Sequence, residues 1–180
     1  MFKQIFELFK ADSLYEQALV ECYEMLEIDR EMFNESVKSL RASDTADIPI
    51  DIYAMDKKIN EFERDVRRKV MTHLAVSGNT DLGSGLILVS VVIDIERIGD
   101  YTKNIYDLAV QHPKKLTAGS FEETLKNIES STTDFLNKTI DTFKTQDIEE
   151  ARKLMVNYKT DISSISSDVV NAIVSGNNDE

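Results

Sequence analysis

The chain has 180 residues, enough for one domain or two small ones, with 42% apolar side chains and a net charge of −12 from 33 acidic and 21 basic residues. Six glycines, two prolines and no tryptophan exclude a turn-rich sandwich or a low-complexity chain and favour long helices. The acidic balance argues against a nucleic-acid partner, which needs a basic footprint, and the lone Cys22 excludes an internal disulfide and a cysteine-based zinc site, pointing to a reducing compartment.

In chain order, Phe2, Ile5, Phe6 and Phe9 recur at helical spacing and predict a short amphipathic helix within residues 1–12. The opening residues do not read as a secretory leader, because acid comes early and no small-residue cleavage site follows. Ser13 and Glu16 form a capping box for a helix to about Leu40, with Leu19, Cys22, Leu26, Phe33, Val37 and Leu40 inward. A polar loop follows at 41–47, and Pro49 suits a first helical turn. The next helix runs from about Ile50 to Val76 on a stripe of Met55, Ile59, Phe62, Val66, Val70 and Leu74. A third, from about Asp81 to Val110, is the most apolar and should be central. Its longest apolar run, Leu86 to Ile93, is broken by Ser90 and falls far short of the ~20 residues of a membrane span. Ser120 and Glu123 form a second capping box for a helix to about Lys144. Asp147 caps a last helix to about Val174, with Leu154, Tyr158, Ile162 and Ile165 inward.

Val76-Ser77-Gly78-Asn79-Thr80-Asp81 is echoed by Val174-Ser175-Gly176-Asn177-Asn178-Asp179. Each copy follows the second helix of its half. The chain is therefore expected to divide into an N-terminal helix (1–12), a first three-helix repeat (13–112) and a second repeat (119–180) holding two helices. Such a pair should leave apolar surface exposed, so a homo-oligomer is expected.

Asp56, Asn60, Glu63 and Arg67 share one face of the second helix, and Glu96, Asp100 and Asn104 share one face of the third. Antiparallel packing would set the two faces side by side, as in bundle metal sites built from carboxylates. Oxygen ligands suit hard ions, and the stripe holds no histidine for zinc. The plainer reading is a solvated face with Glu63–Arg67 as an i,i+4 pair. A mid-helix Gly99 costs about 1 kcal/mol against Ala and is easier to explain if a neighbour approaches closely. Arg64, Arg67, Arg68 and Lys69 read as a solvated mixed-charge face, and His73 and His112 as structural residues near helix ends.

Glu96-Arg97-Ile98-Gly99-Asp100 with Asn104-Ile105, Asp56-Lys57-Lys58-Ile59-Asn60 with Glu63, and Thr80-Asp81-Leu82 together resemble the signature segments of the PhoU family of phosphate-signalling regulators. The resemblance covers residues 13–110 well and 120–175 weakly. It implies an all-α, elongated helical bundle with one complete three-helix repeat and two helices of a second. It implies a non-enzymatic regulator of inorganic phosphate uptake or phosphate-starvation signalling. Such a regulator acts in the cytoplasm, at the inner face of the membrane through a membrane phosphate transporter or a sensor histidine kinase. It also implies metal (Fe, Mn or Mg) on a site of Glu63, Glu96, Asp100, Asp56 and Asn104. Two positions depart from the family pattern: Arg67 stands where an acid is usual, and Gly83 where an arginine is usual. The alternatives are a cytoplasmic domain of a sodium/phosphate cotransporter and an inert helical adaptor. No serine, histidine or phosphate-loop grouping supports an enzyme.

Overall fold

The computed structural model describes residues 2–78, 81–112 and 114–176, with side chains from residue 14 onward except that of Asp161. Every regular element among them is helical. The expected apolar face of Phe2, Ile5, Phe6 and Phe9, and residues 79, 80, 113 and 177–179, lie outside this description.

The chain divides into two compact units, 1–115 and 116–180. In the first, α1 (Phe2–Ala42), α2 (Ile52–Ser77) and α3 (Leu82–Gln111) each pack on the other two. The backbone of α1 runs unbroken through Ser13, so no helix begins at the expected capping box. α2 begins later than Pro49 suggests. Asp51 is its N-cap and accepts the Ala54 amide at 3.0 Å. α2 ends at Gly78, whose φ of 67° an L side chain would resist, and the chain turns at once into α3.

Packing follows a four-three alternation. On α1 the buried line is Ala18, Cys22, Met25, Asp29, Met32, Ser36 and Ser39. On α3 it is Gly85, Leu88, Val92, Ile95, Gly99, Thr102 and Ala109. Ile52, Ile59, Val66, Val70 and His73 supply it on α2. This is the heptad spacing of helices that cross at shallow angles. Contacts between α2 and α3 fix an antiparallel register: Tyr53 hydrogen-bonds Asp107, Asp56 pairs with Lys103, Ile59 meets Gly99, and Leu74 meets Gly85. Each step forward on α2 is matched by a step back on α3. α1 and α2 are also antiparallel, with Lys69 paired to Glu21 and His73 stacked near Tyr15 at 5.4 Å.

In the second unit a short 3-10 turn (Gly119–Phe121) leads into α4 (Glu122–Thr145). The capping box expected of Ser120 and Glu123 is replaced by Glu122, whose carboxylate accepts the Ala118 amide at 2.8 Å. Asp147 caps α5 (Ile148–Tyr158) as the sequence suggests, accepting the Glu150 amide at 3.0 Å. A π-helical turn (Lys159–Ser163) joins α5 to α6 (Ser164–Val174). Of the expected inward stripe only Leu154 is fully buried. Phe135 and Tyr158 pack with ring centres 5.5 Å apart. Leu154 and Ile162 line a small cavity of about 120 Å³ with Phe135.

Gly99 tests the first unit's packing. A Cβ there would lie 2.9 Å from Ile59 Cδ1 and 3.0 Å from Asp29 Oδ1, inside the normal contact limit. Gly83, also in α3, has open space around it. Gly99→Ala should therefore lose about 1–3 kcal/mol despite its better helix propensity. Gly83→Ala should be neutral or gain up to about 1 kcal/mol. Urea unfolding of the two variants checks the contrast, and equal effects would contradict this packing.

Candidate functional site

The register between α2 and α3 brings the two polar faces together, as the spacing suggests. Asp56 lies on α2 across from Lys103 and Asp100 on α3, and Glu63 lies near Glu96. Asp56 and Glu63 are largely buried, each one heptad step along α2 from a core isoleucine. Low local polarity thus surrounds carboxylates that are close to one another.

Glu96 shows the result. Burial raises its pKa above the ordinary glutamate value, and Asp100, Glu63 and Asp56 add to the rise by repulsion. Two basic groups offset the negative charge. Arg67 Nη1 donates to Glu63 Oε1 at 2.8 Å, the i,i+4 pair expected from the sequence. The Lys103 ammonium donates to Asp56 Oδ1 at 2.9 Å and to Asp100 Oδ1 at 2.8 Å. Burial works against its charge, but the hydrogen bonds to Asp100 and Asp56 outweigh that and hold its pKa above the usual lysine value. Asn104 is exposed, and Asn60 donates to the Asp56 carbonyl at 3.0 Å within its own helix.

Two residues of this face escape the sequence reading. Lys103 lies seven positions after Glu96 and three after Asp100, so helical spacing alone places it on the same side. Asp29 is the second. Its side chain is fully buried on α1 beneath Gly99, and neither carboxylate oxygen has a hydrogen-bond partner. Burial first, then the nearby charges of Asp56 and Glu96, push its pKa up to about 8. Asp29 is thus mostly a neutral carboxylic acid at pH 7. An unpaired buried carboxylate would cost far more than a protonated one.

The five residues expected to hold metal are brought to one face but are not free to form a cage. Glu63 is tied to Arg67, Asp56 and Asp100 are bridged by Lys103, and Asn104 points to solvent. Among the described residues no three Asp, Glu, His or Cys side chains converge in a metal-binding group. As held here, these side chains do not fit a metal ion.

Elsewhere the basic cluster is neutralised on the spot. Arg68 pairs with Asp65, and Lys69 pairs with Asp65 at 2.7 Å and with Glu21. His73 is buried rather than set at an exposed helix end, and its Nε2 lies 3.0 Å from Asp81 Oδ2 across the α2–α3 turn. Cys22 is a core residue whose thiol burial pushes up to about 12, so it supplies no thiolate. No helix among the described residues is long and apolar enough to cross a membrane.

Residues 22–109, which span the three helices of this site, match the family model of the PhoU domain. Over 114 residues the chain is 25% identical to a Thermotoga maritima protein described as "Phosphate-specific transport system accessory protein PhoU homolog 1". The alignment takes in 60% of this chain and 47% of that protein, so the chain spans about half the length of the curated relative it matches. No solved structure matches.

The Asp29 carboxyl gives the bundle a signed pH dependence. Its folded pKa of about 8 lies above the unfolded value of about 3.9. The folded state therefore binds this proton more tightly, and stability from this group falls as pH rises from about 4 to about 8. Asp29→Asn removes that loss. Urea unfolding at a series of pH values between about 5 and 8 should show the variant gaining on the wild type as pH rises. A difference that stays constant across the range would refute the assignment.

Proposed function

We propose that this chain, whose residues 22–109 are a PhoU domain, regulates inorganic phosphate uptake or phosphate-starvation signalling by binding other proteins rather than by catalysis. The observation that carries this reading is the ordered acidic face of α2 and α3, which lies within the matched segment. The printed description of the Thermotoga maritima relative, an accessory protein of phosphate-specific transport, supports it. The non-catalytic part is supported by the chemistry of the core. Its buried thiol is held protonated, and His73 is engaged with Asp81. The partner is a membrane phosphate transporter or a sensor histidine kinase, met in the cytoplasm at the membrane's inner face. The second unit is read as a further repeat built from two helices.

The same proposal takes the chain as a homo-oligomer. Ile148, Met155 and Val156 on α5 and Val170, Ile173 and Val174 on α6 are exposed, with Met155 at 71% and Val174 at 82%. Apolar side chains bared this far are commonly covered by a partner. Light scattering should give a mass above the 20.5 kDa of one chain. A monomer that leaves a hydrophobic dye dark would remove this part of the proposal.

For the regulatory role, deletion of the gene should raise uptake of radiolabelled inorganic phosphate by cells in phosphate-rich medium, and the wild-type chain should restore it. Uptake that is unchanged in both rich and poor medium would overturn the reading.

A further inference from the structure

Lys103 sits where a bundle would hold a shared ion. Its ammonium touches one carboxylate on α2, Asp56, and one on α3, Asp100, at 2.9 and 2.8 Å. Metal ions in helical bundles take their ligands in the same way, one acid from each of two facing helices. Lys103 is three residues from Asp100 on the same helix, so its charge is tethered beside the acids at a high effective concentration. Its side chain is only 24% exposed and that of Asp56 only 15%, which limits how far water can screen the pair. We propose that Lys103 is a built-in substitute for a divalent cation on this face: the lysine and a metal ion compete for Asp56 and Asp100, and the intact chain is closed by the lysine.

The charge arrangement around the bridge says what its loss would produce. Glu63 is neutralised by Arg67, so that acid is not offered to a metal. Asp56, Glu96 and Asp100 would remain together, with no other basic side chain paired to Asp56 or Asp100. Three oxygen donors of this kind select a hard divalent ion such as Mn²⁺ or Mg²⁺. Asp29 stands behind them in the core, and its repulsion by Asp56 and Glu96 would fall when a cation arrived.

The test is Mn²⁺ binding by titration calorimetry at neutral pH on the full chain. The wild type should bind weakly. Lys103→Gln should bind about tenfold tighter or more, as expected for removing one positive charge a few ångströms from the ion. Lys103→Arg keeps the charge and should behave as the wild type. Lys103→Gln combined with Asp100→Asn should lose the gain. Thermal unfolding with and without Mn²⁺ gives a second readout, since only Lys103→Gln should be shifted upward by the metal. The proposal is overturned if the wild type binds as tightly as Lys103→Gln, or if Lys103→Gln folds and gains no affinity.

Discussion

A carboxyl group buried without a hydrogen-bond partner constrains the whole first unit. Asp29 occupies a core position in the middle of α1, between Met25 and Met32. It is tolerated because α3 presents Gly99 to it, and a methyl group at Gly99 would collide with both Asp29 and Ile59. The three residues form one layer, and that layer sets the height of each helix. A slip of α3 by one heptad would bring Val92 or Tyr106 to Asp29 in place of Gly99. Neither would leave the carboxyl its room. Buried polar residues that fix register are well known from coiled coils, where they trade stability for a single alignment.

The layer also organises the charge above it. Holding α3 close through Gly99 brings Glu96 and Asp100 alongside Asp56 and Glu63. Four acids at this separation repel one another, and burial makes the repulsion stronger than it would be in water. The chain meets this with two cations drawn from the same helices, Arg67 and Lys103, and by keeping Asp29 protonated. Surface ion pairs are commonly worth less than about 1 kcal/mol. Here their importance lies in what they prevent, an uncompensated cluster at a helix seam. Carboxylates that would otherwise be free for an outside ligand are thereby engaged.

Much of this was legible in the sequence, and the failures have physical causes. The helices, the turn at Gly78 and the pairing of the α2 and α3 faces follow from apolar periodicity and a short connection. The crowding at Gly99 was legible from the penalty of a glycine in mid-helix. Asp29 was not, because the apolar residues Leu19, Leu26 and Val37 suggest a stripe rotated one residue from the true seam. The seam itself carries Asp29, Ser36 and Ser39, which an apolar count passes over. Lys103 was overlooked because a lysine within an acidic motif reads as solvent-facing until its reach across to α2 is known. Helix starts were the least legible. A continuous backbone overrides the Ser13 box, and at α4 the carboxylate one residue earlier takes the capping role.

The π-helical turn between α5 and α6 has a consequence for the second unit. Eight residues separate Leu154 from Ile162, which in an unbroken α-helix would carry the second about 80° around the axis from the first. A π turn absorbs one additional residue, about 100° of rotation, and so returns Ile162 to the side of Leu154. Both then line the same cavity beside Phe135. The wide turn acts as a phase corrector: it lets one apolar face continue through a stretch whose spacing would otherwise wind it away. The number of residues between Lys159 and Ser163 is therefore set by angle rather than by distance. Losing one would barely shorten the helix yet would turn all of α6 to face another way.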